Sequence, residues 1–446
     1  MKRIVLITIG LIIFIAAEAA QVSLSGSRVI EVLPDANTGL NSIYVVENAN
    51  GITIEYKSNG NSNITFQRYS NLGGGFAEDI TNVTHNGNKY SFTADASDMG
   101  YIITEKGNQT CFWIVNYANH YYDITTLEVL SADCDRVTLH ADESADCIAY
   151  YTINGRREVL DREIKVRYNT LVYSDEEQIY NQVATEENIE WFDTSFNVPT
   201  PLCDTEFIIT PDRFASIWGL GDEIISSTFQ TNAVQAQTSI VQTIKENDNE
   251  QKVEAELGGS APCEMTFKAA ITDAAIYHRW EISTYPEFDD VQLQYNELEF
   301  SYTFTEAGMT YVRFIANNAE GTCEYIGETY TISIGDSRLE CPNAFSPGTS
   351  EGVNDEWKVS YRSIVSFNCQ IFNRWGQRII ELTDPSQGWN GTYNGKLVKS
   401  GTYFYVIKAR GSDNKDYELS GHINIIGSRS NSTGVTDGST EETPVE

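Results

Sequence analysis

The stretch Thr402-Tyr-Phe-Tyr-Val-Ile-Lys408 decides the fold of the C-terminal region, because aromatic and β-branched residues in such a run favour a strand. Arg378-Ile-Ile-Glu-Leu382 has the same character. Between them, Trp389-Asn-Gly-Thr-Tyr-Asn-Gly395 contains two Asn-Gly pairs, the strongest short-range indication of a β-hairpin. These residues predict a β domain from about Leu339 to Gly427. We expect five of its aromatic residues to lie in the core: Phe345, Phe372, Trp375, Trp389 and Tyr403.

The same pattern continues upstream of this domain. Short alternating segments such as Ile52–Tyr56, Glu163–Tyr168 and Tyr330–Ile334 are separated by Gly, Asn and Asp turns, which is typical of antiparallel β-sandwiches. A chain of 446 residues is too long for one hydrophobic core. The sequence therefore predicts an all-β chain of tandem Ig-like sandwiches. The expected domains are residues 22–120, 121–205, 206–336 and 339–427, followed by a disordered tail at 428–446.

The N-terminus has the features of a cleaved signal peptide at residues 1–19. Lys2 and Arg3 precede an apolar run from Ile4 to Ala17, and Ala17-Glu-Ala19 is a small-x-small cleavage site. The apolar run is short for a membrane span. We therefore expect Sec-dependent export and cleavage at about Ala19.

The charge of the chain restricts its partners. Sixty-three acidic residues stand against 30 basic ones, for a formal net charge of -33, and the acids are spread along the chain. Nucleic acid is not an expected partner, because its phosphates require Lys and Arg. A solvated, acidic extracellular surface is the simplest interpretation.

The eight cysteines predict disulfides in an exported chain. None forms a Cys-x-x-Cys pair and the five histidines are dispersed, so the sequence does not predict a zinc site. Cys263 with Cys323 and Cys341 with Cys369 are the preferred pairs, because each pair falls inside one expected domain. The other four cysteines, at 111, 134, 147 and 203, allow three pairings, of which Cys134 with Cys203 would close the second domain and Cys111 with Cys147 would join two domains.

Five motifs in the last hundred residues follow one another in a recognisable order. They are Cys341-Pro-Asn-Ala-Phe-Ser-Pro347, Ile371-Phe-Asn-Arg-Trp-Gly376, Gly388-Trp-Asn-Gly-Thr392, Ser400-Gly-Thr-Tyr-Phe-Tyr-Val-Ile407 and Gly421-His-Ile-Asn-Ile-Ile426. This set resembles the gliding-motility-associated C-terminal domain of Bacteroidota, the export signal that the type IX secretion system reads. The resemblance implies recognition by the translocon and a PorP/SprF-type outer-membrane partner. It also implies a set of sorting-domain residues: Pro342, Asn343, Phe345, Asn354, Asp355, Asn373, Arg374, Trp375, Gly376, Trp389, Gly391, Gly401, Tyr403 and Gly421.

The loop after the first motif departs from the family pattern. Family members usually carry Asn-Gly-Asp-Gly-x-Asn-Asp there, whereas this chain keeps Gly352-Val-Asn-Asp355 and lacks the first Asp. The family's loop suits Ca²⁺, which prefers oxygen ligands. Glu351, Asn354 and Asp355 are the candidate ligands, and a solvated acidic turn is the favoured alternative. No other cofactor is expected.

Residues 277–312 resemble a PKD-type Ig-like domain. The resemblance rests on a Trp strand, Tyr277-His-Arg-Trp-Glu-Ile282, followed by Tyr302-Thr-Phe304 and Gly308-Met-Thr-Tyr-Val312. The Gly-Asp-Gly turn usual after the Trp strand is missing. The fold class predicted for the whole chain is thus tandem Ig-like and PKD-like antiparallel β-sandwich domains after a cleaved signal peptide.

These observations favour a non-enzymatic, secreted or cell-surface protein with a role in adhesion, gliding motility or surface assembly. Its ligand would be a glycan or a host or matrix surface. A carbohydrate-binding accessory protein is the alternative, with Phe112-Trp113 or Tyr121-Tyr122 stacking on sugars. A glycoside hydrolase is the least favoured interpretation, because acid pairs such as Asp289-Asp290 and Asp222-Glu223 arise by chance among 63 acids. No Gly-x-Ser-x-Gly or His-Glu-x-x-His motif occurs.

Overall fold

A computed structural model describes residues 21–60, 63–349 and 352–427. The predicted signal peptide and the predicted disordered tail lie outside these residues. The described chain is nearly all β, which confirms the predicted fold class. It divides into two compact units: one runs to Val172 and resumes from Asn181 to Ala233, and the other consists of Tyr173–Tyr180 and the chain from Val234 onward. No helix in the described part of the chain is long and apolar enough to cross a membrane.

The first sandwich of unit 1 has ten strands. They are β1 (Val22–Ser25), β2 (Val29–Val32), β3 (Ser42–Val46), β4 (Thr53–Lys57), β5 (Ile64–Tyr69), β6 (Glu78–Asp79), β7 (Thr84–Asn86), β8 (Lys89–Thr93), β9 (Met99–Glu105) and β10 (Asn108–Asn116). They form a four-stranded sheet, β1-β4-β8-β7, and a six-stranded sheet, β2-β3-β10-β9-β5-β6, in which β3 and β10 are parallel. Aromatic residues such as Tyr56, Phe66 and Phe112 fill the space between the sheets.

The next part of unit 1 is built from nine strands and one helix. A 3₁₀ turn (Tyr117–Asn119) precedes β11 (Leu127–Ala132), β12 (Arg136–Ala141), β13 (Ala149–Tyr151), β14 (Arg157–Val159), β15 (Ile164–Ser174), β16 (Ile179–Ile189), β17 (Ser195–Pro199), β18 (Ile208–Ile209), α1 (Arg213–Trp218) and β19 (Ile224–Ile225). The sheet β16-β15-β18-β19 extends this region to Ile225. The expected boundary at residue 205 therefore lies before β18 and β19, which belong to this sheet.

Two elements of the second region complete the core of the first. Tyr150 of β13 and Phe214 and Trp218 of α1 pack with Trp113 of β10 in one buried cluster. Asp212 starts α1, because its side chain accepts hydrogen bonds from the backbone N–H groups of the first turn. Unit 1 is therefore one packed body rather than two separable sandwiches.

A buried ionic network lies at the centre of unit 1. Arg162 and Asp212 are fully buried, and the Arg162 guanidinium is 2.7 Å from the Asp212 carboxylate. Arg162 also donates to the Asp146 carboxylate at 2.9 Å and to the backbone carbonyl of His120 at 2.7 Å. Tyr117 donates its hydroxyl proton to Asp212 at 2.9 Å. Every member has a partner, so removal of one would leave a buried charge without compensation.

Unit 2 contains a second sandwich and a C-terminal domain. The sandwich strands are β20 (Ala236–Gln242), β21 (Gly258–Gly259), β22 (Cys263–Ile271), β23 (Tyr277–Ser283), β24 (Val291–Tyr295), β25 (Glu299–Phe304), β26 (Gly308–Asn317), β27 (Glu324–Ile326) and β28 (Tyr330–Ile334). One sheet is β20-β22-β25, and the other is β21-β28-β26-β23-β24 with β27 paired to β26. Trp280 is fully buried and contacts Phe300 across the two sheets at 5.9 Å between ring centroids.

The C-terminal domain has nine strands. They are β29 (Arg338–Glu340), β30 (Ala344–Phe345), β31 (Ser360–Arg362), β32 (Ile364–Phe372), β33 (Arg378–Leu382), β34 (Thr392–Tyr393), β35 (Lys396–Leu397), β36 (Gly401–Gly411) and β37 (Asp416–Ile425). The main sheet is β30-β37-β36-β32-β33, and β29-β31 and β34-β35 form small ladders.

The predicted cysteine pairs are wrong in this structure. Cys134 and Cys323 are the disulfide-bonded cysteines, so Cys134 does not pair with Cys203 and Cys323 does not pair with Cys263. Cys263 pairs in register with Phe304, next to the start of β26, whereas Cys323 lies beyond the other end of that strand. Ten residues of strand separate those ends by about 30 Å, far beyond disulfide reach. Cys341 and Cys369 carry thiols.

We predict that Asp212→Asn lowers the free energy of unfolding of unit 1 by about 3 kcal/mol. The substitution removes the buried counter-charge of Arg162, while Asn can still cap α1. Urea unfolding of the full chain, followed by fluorescence, measures the change. Asp161→Asn is the matched control, because Asp161 is exposed and accepts only the Glu163 N–H. Equal midpoints for the two variants would contradict the role of the network.

A second prediction concerns pH. Burial opposes the charge on His120, but Asp146 and Asp98, each 2.7 Å from a ring nitrogen, outweigh it and raise its pKa from 6.5 to about 9. Because the pKa of His120 is higher in the folded chain than in the unfolded chain, protonated His120 adds to the free energy of unfolding. This contribution is complete below pH 6.5 and is lost as pH rises through about 9. We expect a loss of about 3 kcal/mol across that window, measured by urea unfolding. His120→Gln should flatten the pH dependence, and an unchanged slope would contradict the assignment.

Candidate functional site in the C-terminal domain

The first motif residues form one edge of the C-terminal domain. Phe345 is buried and pairs in parallel with Ile425 of β37. The backbone carbonyl of Asn343 accepts a hydrogen bond from the N–H of Asn424 at 2.9 Å, and that of Pro342 accepts from the Trp357 indole at 2.7 Å. These residues therefore work mainly through the backbone, by joining the start of the domain to its last strand.

Trp389 lies at the centre of the domain and is fully buried. Its backbone exchanges two hydrogen bonds with Trp357, at 2.8 and 2.9 Å, and its ring contacts Phe345 and Tyr403. Gly391, at φ +74°, allows the chain to turn where a Cβ would meet Pro347 at 2.9 Å. The predicted core positions of Phe345, Trp389 and Tyr403 are confirmed.

The last two motifs form the central hairpin of the main sheet, β36 with β37. Gly401 opens β36 with φ +149°, and Gly421 stands opposite Tyr405 in the ladder. A Cβ on Gly421 would lie 2.6 Å from the Tyr405 hydroxyl oxygen. Glycine at 421 thus lets the Tyr405 ring pack against the backbone, and a larger residue would displace that ring.

The Asn373-Arg374-Trp375-Gly376 motif is an exposed turn, and the prediction that Trp375 is a core residue is wrong. The Trp375 side chain is 75% exposed, and the Arg374 guanidinium lies 4.2 Å from the centre of its ring. The Asn373 side-chain oxygen accepts from the N–H groups of Trp375 and Gln377, both at 3.0 Å. Gly376 takes φ +80° in this turn. The remaining predicted core residue, Phe372, is half-buried.

The acidic loop holds itself together through Asp355. Its two carboxylate oxygens accept from the N–H of Gly348 at 3.0 Å and of Gly352 at 2.7 Å, and Asn354 takes φ +54°. Glu351 lies outside the described residues. No group of three or more His, Cys, Asp or Glu side chains suited to a metal occurs among the residues described. Ca²⁺ binding by Glu351, Asn354 and Asp355 stays a prediction.

Two thiols lie beside Tyr405 in the core of this domain. Burial, with a smaller contribution from the nearby Cys341, raises the pKa of Cys369 to about 12. Burial likewise raises the pKa of Cys341, although a hydrogen bond with Tyr405 lowers it. Thiols with raised pKa values are poor nucleophiles, so neither is a candidate for catalysis.

The candidate hydrolase carboxylates are engaged in local structure. Asp290 accepts from the Gln292 side chain at 3.2 Å, and Glu223 pairs with Arg167 at 2.5 Å. Asp222 lines a cavity of about 20 Å³, which holds no more than one water. Neither pair lines the cleft of about 960 Å³ described next.

A cleft of about 960 Å³ in unit 2 lies beside a segment that we call the strap, residues 247–251. The strap pairs with β31 through Gln251 and Tyr361, whose N–H and carbonyl are 2.7 Å apart. Its carboxylates are also used: Asp248 pairs with Lys358 at 3.0 Å, and Glu250 accepts from the Tyr361 hydroxyl at 3.3 Å. The cleft lies between the second sandwich and the C-terminal domain. The two carboxylates of the strap that line it already have partners.

The aromatic residues proposed for sugar stacking are mostly core residues. Phe112, Trp113 and Tyr122 are buried, and only Tyr121 is exposed, at 41%. Sequence reasoning missed the Arg162–Asp212 network, because its members lie far apart in the chain. A buried Arg needs a carboxylate partner, but this rule could have identified the network only if the burial of Arg162 had been known.

Comparisons with known proteins agree with this geometry. Residues 339–425 match the CHU_C type IX secretion signal domain, and residues 128–227 match a fibronectin type III domain. No curated protein matches the chain. Two solved structures are similar at 10% identity. The three N-terminal domains of the bacteriophage RB49 Highly Immunogenic Outer Capsid protein give a TM-score of 0.21, with 69% of this chain and 100% of that chain covered. Dimeric latent PorU from Porphyromonas gingivalis gives 0.16, with 72% and 36% covered.

Those two structural similarities are too small to carry an argument, whereas the domain matches agree with the sequence motifs and with the fold. The match to the secretion signal domain indicates export across the outer membrane by the type IX system. This chain is therefore a β-sandwich protein with a fibronectin type III domain and a C-terminal type IX secretion signal domain.

Proposed function

We propose that this protein is a non-enzymatic cell-surface or extracellular protein. Sec exports the chain and the signal peptide is cleaved at about Ala19; the C-terminal domain then engages the type IX translocon and a PorP/SprF-type outer-membrane protein. The upstream sandwiches serve adhesion, gliding motility or surface assembly. The observation that carries the proposal is the complete C-terminal domain, in which the motif residues Phe345, Trp389 and Tyr403 share one core.

The charge of the upstream region supports a surface role. Residues 339–427 contain nine acidic and nine basic residues, so the net charge of -33 resides in the rest of the chain. A strongly acidic surface repels like copies and stays hydrated, which suits a displayed spacer or adhesive module. The PKD-like assignment of residues 206–336 belongs to the same proposal, and the packing of Trp280 on Phe300 supports it.

We predict that deleting residues 337–446 retains the protein in the periplasm. The deletion removes the C-terminal domain and leaves unit 1 intact. Protease treatment of whole cells, compared with periplasmic extracts, measures the displayed fraction. Undiminished surface display of the truncated chain would refute the export proposal.

A finer prediction tests whether the signal must be folded. Gly421→Ala places a Cβ against Tyr405 and should destabilise the C-terminal domain by about 1–3 kcal/mol, lowering surface display. Thermal unfolding and the displayed fraction are measured together. Gly74→Ala is the control, since a Cβ there meets nothing within 4 Å. A destabilised Gly421→Ala chain with normal display would show that the signal is read without its fold.

A further inference from the structure

One end of the C-terminal domain combines exposed apolar and basic side chains. We call it the aromatic–basic end and define it by six residues: Arg374, Trp375, Lys396, Leu397, Lys399 and Phe404. All six are exposed, with Trp375 at 75%, Leu397 at 53% and Phe404 at 45%.

Hydrogen bonds connect the parts of this end. The Gln377 side chain donates to the Tyr393 hydroxyl at 3.0 Å, which ties the Trp375 turn to the β34–β35 hairpin. The Tyr403 hydroxyl donates to the backbone carbonyl of Lys399 at 3.0 Å, which fixes the start of β36. Phe404 stands opposite Phe372 in the β32–β36 ladder. Three chain segments thus present one surface.

The charge here is opposite in sign to that of the chain as a whole. Three of its six residues, Arg374, Lys396 and Lys399, are basic and none is acidic, in a chain with 63 acidic residues. Arg374, Lys396 and Lys399 make no ion pair within the described ranges. Their charge is therefore available to a partner.

The opposite end of the domain is already covered. The strap pairs with β31, and Ser412 accepts a hydrogen bond from the N–H of Ala307. β32 begins next to that covered end, since Ile364 stands opposite Gly411, and it finishes at Phe372, just before the Trp375 turn. Nine residues of strand place the two ends about 30 Å apart. The aromatic–basic end therefore points away from the preceding sandwich.

We propose that the aromatic–basic end is the surface by which the domain docks on an acidic patch of a protein component of the outer-membrane translocon, with the Trp375 indole entering a pocket. The inference rests on the proposed export function and names the face that is recognised. Trp and Arg are the residues most enriched at protein–protein hot spots. The Asn373 side chain holds the turn rigid, so little conformational entropy is lost when Trp375 is buried.

Charge complementarity also selects this face. An acidic partner repels the rest of a chain with a net charge of -33 and attracts only the cationic end, so the encounter is oriented before contact. Arg374, stacked on Trp375, would meet a carboxylate at the rim of the pocket.

The test uses the full chain in its own host. Trp375→Ala and Arg374→Glu should each lower the displayed fraction at least about 10-fold, with thermal unfolding unchanged because both side chains are exposed. Trp375→Phe should recover part of the display. Two matched controls should display normally. Phe76→Ala removes an aromatic ring that is 93% exposed in unit 1, and Arg410→Glu reverses a charge near the covered end.

A photo-crosslinking residue at position 375 identifies the partner. Adducts with an outer-membrane protein of the translocon support the proposal. Adducts only with lipid, or none during export, overturn it. Normal display of Trp375→Ala and Arg374→Glu overturns it as well. If deletion of residues 337–446 still abolishes display in that case, the export proposal survives and only the docking surface is wrong. If the truncated chain is displayed normally, the export proposal is wrong as well.

Discussion

The reciprocal backbone pairing of Trp357 and Trp389 is the constraint on which the C-terminal domain depends. The two N–H groups and two carbonyls satisfy each other while both indoles are fully buried. A domain of this size buries only about 60% of the surface of its unfolded chain, so a few large aromatic side chains supply much of its core. These two hydrogen bonds also hold together the loops before β31 and before β34, which contain few regular hydrogen bonds of their own.

The core of the C-terminal domain is built around the Trp357 and Trp389 rings. Phe345 and Tyr403 occupy the positions around Trp389, at 5.4 and 5.1 Å between ring centroids. Trp375 lies outside this core, where Asn373 and Gly376 shape a tight turn. Exposure of this indole is thus a consequence of the turn residues and is independent of its hydrophobicity. The docking proposal therefore rests on the combination of this exposed indole with the stacked Arg374 guanidinium, and exposure alone would not support it.

The sequence allowed the all-β fold and the C-terminal domain to be predicted, because strand alternation and Asn-Gly turns are local features. It misplaced Trp375, although the Asn and Gly on either side are turn residues that could have shown its exposure. The cysteine pairs failed for a different reason. Cys263 and Cys323 share a sandwich, but their places at opposite ends of it follow from strand order, which spacing along the chain does not determine. The Arg162–Asp212 contact likewise joins residues 50 apart, and only the tertiary fold brings them together.

The upstream region and the C-terminal domain differ in net charge. Residues 1–338 carry most of the net charge, and the buried cation Arg162 is paired there with the buried carboxylate of Asp212. The C-terminal domain is balanced, yet it keeps three cations without ion-pair partners in the described structure around an exposed indole. Screening at physiological salt limits the reach of such charges to about 8 Å, so they act once the partner is close. In the docking proposed above, the three cations therefore act at contact, together with the rigid Trp375 turn.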